Sequence, residues 1–393
     1  MSENIVITGA ARTPMGGFQG VLSAASAVQL GAAAIDAALS RSQLQGDAID
    51  EVIMGCVLPA GQGQAPARQA SLGAGLPLAT GCTTINKMCG SGMKATMFAH
   101  DLLKAGGNRI MLAGGFESMS NAPYLLTKAR NGMRMGHGQV FDHMFLDGLE
   151  DAYDKGKLMG VFAENTADKY GFTREQQDEF AITSLRRAQS AIESGAFADE
   201  ITEVVIKTRK GEITVDTDEQ PFNANIDKIP SLRPAFRSDG TVTAANSSSI
   251  SDGAAALVLM GESEADKRSL KPLAVIRAHA THAQEPAWFT TAPVGAINKA
   301  LEAASWSSDE VDLYEINEAF AVVTMAAMHD LELDHACVNV NGGACALGHP
   351  IGASGARIIV TLIAALQRRG LKKGVAGLCI GGGEATAIAL ELI

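Results

Sequence analysis

The chain has 393 residues, 47% hydrophobic and 19% charged, a composition that builds a packed core and is not that of a disordered chain. At roughly 100–200 residues per domain this length allows two or three domains. Lys+Arg is 32 against 43 Asp+Glu, and the formal net charge of -11 argues against a general nucleic-acid binder.

In chain order the first part alternates β and α signals. NIVITG reads as a strand, the Ala-rich stretch from Leu22 to Ser40 as a helix, EVIMGCVL and TTINKMC as strands, Gly92 to Lys104 as a helix and RIMLAGG as a strand. Such alternation predicts a mainly parallel sheet covered by helices. A region richer in charge, Met and His follows, from about Met119 to Ser247. It holds one strong amphipathic helix, N-capped by Thr173 with Gln176 completing a capping box and Gly195 at the C′ position. VTAANSSSISDGAAALVLM then reads as a strand returning to the first sheet. The last part repeats the opening order: strand LAVIRAHA, helix Val294 to Ala304, strand DLYEIN, a helix through AVVTMAAMHDL, strand CVNVN, a helix from Gly355 to Arg369, then GVAGLCIGGG and EATAIALELI. Ser91-Gly92 and Ser354-Gly355 each open a helix that leads into a Gly-rich strand, which points to an internal duplication with an insertion between the copies. Three domains in series is the alternative arrangement.

Six cysteines, Cys56, Cys82, Cys89, Cys337, Cys345 and Cys379, are too few for a disulfide scaffold and include no CxxC pair, so no structural zinc site is expected. His137 and His143 with Asp142 lack metal-ligand spacing, and the sequence has neither GxGxxG nor a Walker A signature. No apolar run reads as a membrane span. The start lacks the basic n-region and long apolar run of a signal peptide, and the end is not a peroxisomal SKL tail. A cytoplasmic protein with reduced thiols, no metal and no membrane partner is the expectation.

Four motifs fall at predicted strand ends. Cys89 lies at the start of a helix, where free N–H groups and the helix field favour a thiolate, so it is a candidate nucleophile as well as a possible buried apolar thiol. His349 lies in the Gly-rich turn NGGACALGHPIGASGAR and is a candidate base or a structural histidine. Cys379 precedes Gly381, Gly382 and Gly383, whose amides suit an oxyanion hole or merely a tight turn. Asn317 and Glu318 either cap the next helix or point into the same crevice. Open α/β sheets bind ligands at that edge. The Met residues around Cys89 read as core filler, and Lys207 to Gly211 as a solvated turn able to touch an anion.

Taken together these stretches resemble the thiolase family. The similarity covers essentially the whole chain and rests on ARTPMGGFQG, INKMCGSGMKA, GGFESMSNAPY, MGHGQVFDHM, AENTADKYGFTREQQDEFA, LRPAF, GTVTAANSSSISDGAAA, INEAFA, NVNGGACALGHPIGASGARI and CIGGGEA. The resemblance implies an α/β fold with duplicated mixed-sheet core domains in a five-layer αβαβα arrangement and an inserted loop domain. On this chain that gives residues 1–118 plus 249–270 as the N-terminal core domain, 119–248 as the loop domain and 271–393 as the C-terminal core domain. It implies coenzyme A-dependent acyl transfer, cleaving 3-ketoacyl-CoA to acetyl-CoA plus acyl-CoA or condensing two acetyl-CoA, with coenzyme A as substrate and no cofactor.

By the same resemblance Cys89 is the acylated nucleophile, His349 its base, and Cys379 the acid/base at the substrate Cα. Asn317 holds a water that forms the first oxyanion hole with His349, and the N–H groups of Cys89 and Gly381 form the second. Ser248, Phe236, Ala244, Leu149, Met159, Ala319 and Phe320 line the coenzyme A and acyl pocket. A homotetramer or homodimer is implied, GMRMGHGQVFDHM matching a loop used in tetramer contacts. The chain departs from acetoacetyl-specific relatives at Leu158-Met159-Gly160, where they carry His-Met-Gly, at Ser249, and at Trp288 or Phe289 in place of a pocket Met. Two other readings stand beside this one. A decarboxylating ketoacyl synthase of the same fold would lack the second cysteine, and a non-catalytic acyl-CoA-binding subunit would be expected to lose one of Cys89, His349 or Cys379.

Overall fold

A computed structural model describes residues 3–208 and 211–393. The first half runs β1 (Ile5–Arg12), α1 (Ala27–Arg41), β2 (Glu51–Gly55), α2 (Pro66–Gly73), β3 (Gly81–Ile85), α3 (Ser91–Lys104) and β4 (Ile110–Ser118). The chain then leaves the sheet for an excursion containing α4 (Met159–Tyr170) and α5 (Arg174–Glu193), and re-enters as β5 (Ser251–Gly261). The second half runs β6 (Ala274–Ala283), α6 (Ala292–Ala304), β7 (Leu313–Ile316), α7 (Ala321–Asp330), α8 (Ile351–Arg369), β8 (Lys373–Ile380) and β9 (Glu384–Leu392).

The strands lie in the order β7-β8-β9-β6-β1-β5-β4-β2-β3. In the first half β2 is parallel to β3 and β4, whereas β4–β5 and β5–β1 are antiparallel. The second half repeats that scheme: β7–β8 parallel, β8–β9 and β9–β6 antiparallel. The two halves meet antiparallel at Val6↔Val275 and Ile7↔Ala274. Thus the duplication suggested by the two Ser-Gly helix starts extends to strand order and direction.

Each half-sheet is buried on both faces, which is why its strands read as continuous apolar runs. Ala254, Ala256 and Val258 of β5 face α1, whereas Ala255, Leu257 and Leu259 face α3 and α8. On the far side Tyr314, Val375 and Ala387 face α6. This gives five layers, with α3 and α8 as the central one. The two helices cross at their Ser-Gly starts. A Cβ on Gly355 would lie 2.5 Å from the Met93 nitrogen, and one on Gly92 would lie 2.8 Å from the Ala356 nitrogen. Gly355→Ala is therefore expected to destabilise the fold by roughly 3 kcal/mol despite the higher helix propensity of Ala. A thermal midpoint equal to or above the parent's would show that the crossing is not this tight.

The sheet is mixed and not mainly parallel, since five of its eight main strand pairings are antiparallel, and three further sequence expectations change here. CVNVN is not a strand: apart from a single bridge between Tyr314 and Val338 it is a turn, with Asn339 at φ 49°. The Asn339 side-chain amide takes the place of a ladder, accepting from the Ile316 N–H at 2.8 Å and donating to its carbonyl at 2.8 Å. Second, α8 is long and apolar enough to cross a membrane by length and composition, with mean hydropathy 1.2. Its apolar residues are spent on the central layer, as 83% of it is buried. Third, the β5 strand starts only at Ser251, and 243–248 is a turn held by Asn246. The helix predicted from Thr173 forms as expected, with its capping box intact and Gly195 at φ 66°. Of the turn expected from Lys207 to Gly211, residues 209 and 210 lie outside the described residues.

Candidate active site

The site gathers where the N-termini of α3 and α8 approach the ends of β7 and β8. After β3 the chain turns through Asn86–Gly90, with Met88 in the left-handed region at φ 47°. The Asn86 side chain accepts from the Met88 N–H at 2.9 Å. Ser91 Oγ accepts from the Lys87 N–H at 2.9 Å and donates to the Met88 carbonyl at 2.6 Å. These bonds pin the residue before Cys89 in an uncommon conformation, so the thiol has a fixed direction. Gly90 lets the turn pack close against Ile380, since a Cβ would lie 2.3 Å from Ile380 Cδ1 and the side chain would have to shift.

Cys89 is half-buried and packs beside Leu149, Met88 and Ile250. Burial holds the thiol up, at about 11, against the backbone N–H groups of Gly381 and Cys89, which favour the thiolate. The sequence position alone led to the opposite expectation. Desolvation here exceeds the favourable field of the helix N-terminus. Cys379, fully buried at the end of β8, is pushed well above the usual thiol range by burial and by the neighbouring Cys89. The two thiols thus lie near enough for the charge of one to raise the pKa of the other.

His349 is buried, and its Nδ1 lies 2.5 Å from Ser354 Oγ. Ser354 Oγ in turn donates to the Pro350 carbonyl at 3.0 Å, as a hydroxyl one turn into a helix does. This order assigns the proton of the ring to Nδ1 and leaves Nε2 with a free lone pair. Nε2 is buried and without a hydrogen-bond partner among the described residues. Burial and the nearby Arg357 guanidinium lower the His349 pKa to about 3. The imidazole is thus neutral and basic at Nε2.

The motif at Asn317-Glu318 divides. Asn317 Nδ2 lies 3.5 Å from His349 Nδ1, and its Oδ1 accepts from Arg357 at 3.3 Å. Glu318 faces the other way, accepting from Ser184 Oγ, Asn339 Nδ2 and the Cys345 N–H. Neither caps α7, whose N-cap is Phe320.

Met159, Phe236, Ala319 and Phe320 pack with Cys379, Phe162 and Phe289 in one apolar cluster. The Phe236 and Phe320 rings meet edge-to-face at 6.0 Å. Gly160 leaves room for Phe236, since a Cβ would sit 2.3 Å from its ring. Leu149 lies on the Cys89 side instead. Ser248 is half-buried, its N–H donating to the Ala319 carbonyl at 3.0 Å, and Ala244 is exposed at the rim.

Sequence reasoning passed over three supports. Arg357, fully buried in α8, pairs with Glu315 at 2.8 Å while reaching Asn317. Glu117 accepts the N–H groups of Val57, Leu58 and Gly352 at 2.9, 3.0 and 2.9 Å, tying the β2 exit to the start of α8. Burial raises its carboxyl to about 7, against the pull of those three donors. Ser354 orients the His349 ring. Their common signal is a polar residue inside an apolar run, which is costly unless it is paired.

Two family models match the chain. "Thiolase, N-terminal domain" covers residues 5–263, and "Thiolase, C-terminal domain" covers residues 270–392. The chain belongs to the thiolase family. An acetyl-CoA acetyltransferase of Pseudomonas aeruginosa is 49% identical over 390 residues, 99% of each chain. Acetyl-CoA acetyltransferase 2 of Arabidopsis thaliana is 51% identical over 395 residues, covering 100% of this chain and 98% of the plant protein. The crystal structure of the Bacillus anthracis acetyl-CoA acetyltransferase superimposes with TM-score 0.97 at 42% identity, covering 100% of this chain and 99% of that one. The five-layer duplicated architecture is thus the thiolase fold.

Proposed function

We propose that this thiolase-family protein carries an acyl group on Cys89 and transfers it to or from coenzyme A, cleaving 3-ketoacyl-CoA or condensing two acetyl-CoA. The reading is carried by two thiols near enough to influence each other, the Gly381 N–H that favours the Cys89 thiolate, and a buried imidazole with a free Nε2. In cleavage, Cys89 Sγ attacks the 3-keto carbon and its proton passes to His349 Nε2. The developing oxyanion is held by His349 Nε2–H together with a water on Asn317. The Cα–Cβ bond then breaks, and the carbon leaving as acetyl-CoA takes a proton from the Cys379 thiol. While enolate character develops, the thioester oxygen is held by the N–H groups of Cys89 and Gly381. Coenzyme A attacks the acylated Cys89, its thiol proton passes to the Cys379 thiolate, and His349 Nε2–H returns a proton to the Cys89 sulfur as the acyl group leaves it. Condensation is the reverse sequence.

With Cys89 at about 11 and His349 at about 3, the resting pair is thiol and imidazole, with no ion pair. The proton therefore moves only as the sulfur attacks. Falling pH charges the imidazole only near 3, and rising pH ionises the thiol only near 11. The single-turnover rate of Cys89 acetylation by acetyl-CoA should stay level across the neutral range. A bell centred near neutrality would indicate a resting thiolate–imidazolium pair instead.

The reading is tested by incubating the protein with acetoacetyl-CoA without free coenzyme A and weighing the Cys89 peptide. One added acetyl group supports it, and an unmodified Cys89 with short and long 3-ketoacyl-CoA alike overturns it. The apolar cluster of Met159, Phe236, Phe289 and Phe320 supports an acyl chain as the occupant beside Cys379. A homo-oligomer working in the cytoplasm completes the proposal. The exposed apolar residues Tyr124, Met135 and Val140 on the excursion support a contact between copies of the chain. No metal or cofactor enters this scheme.

A further inference from the structure

A second polar concavity lies at the far end of α8. Ser354 orients His349 at the start of that helix, and Arg368 follows about 14 residues later, roughly 20 Å along the axis. There the C-terminal turns of α5 and α8 enclose a groove of about 450 Å³, lined by Arg186, Arg187, Arg368, Arg369 and Asn341. Four guanidiniums on one groove are unexpected in a chain of net charge -11.

Part of this arrangement is structural. Arg187 donates to the carbonyls of Val338 and His335 at 2.7 and 3.0 Å, and Arg368 to those of Ser194 and Gly195 at 2.8 and 3.3 Å, closing the end of α5. Arg369 reaches Asn341 Oδ1 at 3.4 Å. Carbonyl and amide oxygens satisfy N–H groups but leave the positive charge in place. Among the described residues no carboxylate comes within ion-pair distance of any of the four, and no carboxylate lines the groove. Burial lowers the Arg187 pKa, Glu318 opposes this, and the like charge of Arg369 lowers it further against the smaller pull of Glu315 and Asp334.

A second observation is independent of the charges. Asn341 is 5% exposed and its side-chain Nδ2 has no hydrogen-bond partner among the described residues. Its Oδ1 already accepts from Arg369, so turning the amide round would set donor against donor. A buried N–H donor that gives up water without gaining an acceptor is unfavourable until something accepts from it. The group that satisfies this donor and neutralises the flanking guanidiniums is an oxyanion with several acceptor oxygens.

We propose that the groove between the ends of α5 and α8 is a binding site for a compact phosphate-bearing anion, separate from the Cys89 crevice. Arg186 has no partner among the described residues and supplies a free fork. Arg369 and the Asn341 amide contact the inner oxygens.

The test is calorimetric titration of the full-length protein with inorganic pyrophosphate at low ionic strength. Saturable binding in the millimolar range or tighter is expected. The Arg186→Gln/Arg369→Gln double variant should weaken it at least tenfold while leaving turnover without added anion unchanged. The shape-conserving Asn341→Asp variant, which places a carboxylate in the groove, should abolish it, and circular dichroism of both variants checks their fold. Repeating the titration with inorganic phosphate and with adenosine diphosphate separates a free oxyanion from the phosphate of an organic ligand. The absence of saturable binding to all three probes overturns the proposal. So does equal affinity in wild type and both folded variants, which would place the anion elsewhere, for example at the coenzyme A site.

Discussion

Cys89→Ala is expected to lower turnover by about 10,000-fold or more while leaving coenzyme A affinity within about twofold. Under the proposed mechanism no other group can carry the acyl chain. In that mechanism the unpartnered Nε2 of His349 takes the proton from the sulfur, and Cys379, kept a neutral thiol by burial, serves the substrate carbon. The substitution removes one sulfur from a half-buried position and leaves the turn around it intact, because that turn is held by Asn86 and Ser91. Binding and chemistry should therefore separate. Steady-state thiolysis of acetoacetyl-CoA and a direct coenzyme A titration check the two halves. Residual turnover above about one per cent, or loss of both properties together, would count against a covalent intermediate on Cys89.

Cys379→Ala is expected to divide the reaction at a different point. Acetylation of Cys89 by acetyl-CoA needs no proton transfer at Cα, so the acetyl mass on the Cys89 peptide should persist. Cleavage and condensation need that transfer and should fall by about 100- to 10,000-fold. Cys379 sits fully buried against Phe162, Phe289 and Phe320, so losing its sulfur leaves a small apolar void costing about 1 kcal/mol. That is small beside the expected kinetic effect. Equal loss of both half-reactions would mean that the thiol shapes the pocket and does not move the proton.

The groove at the far end of α8 bears on how these variants are handled. If it holds a phosphate-bearing anion, phosphate buffers occupy it, and the kinetic comparisons belong in a non-phosphate buffer of fixed ionic strength.

Much of the fold was legible in the sequence because each piece of it is a local pattern. Strands buried on both faces read as apolar runs, Thr173 and Gln176 spell a helix start, and Ser91-Gly92 with Ser354-Gly355 announce two related helices. The residues proposed to bear chemistry stood out for the same reason. Cys89, His349, Asn317 and Cys379 each lie at a strand end or a Gly-rich turn, where a side chain is left over from the core. What the sequence left open depends on contacts between residues far apart in the chain. Asn317 and Glu318 are adjacent, and only the packing of α8 and α5 decided that one turns to His349 and the other to Ser184. The Cys89 thiol was expected to be lowered, and burial raised it, because desolvation is a property of the filled crevice and not of the helix start. The supports Arg357, Glu117 and Ser354 gain their meaning from partners up to 235 residues away. The sequence by itself determined which elements form and which side chains are set aside for chemistry, since periodicity and turn chemistry are local. The tertiary structure alone decided which of those side chains meet and in what protonation state, since both follow from burial and from charges that the fold brings together.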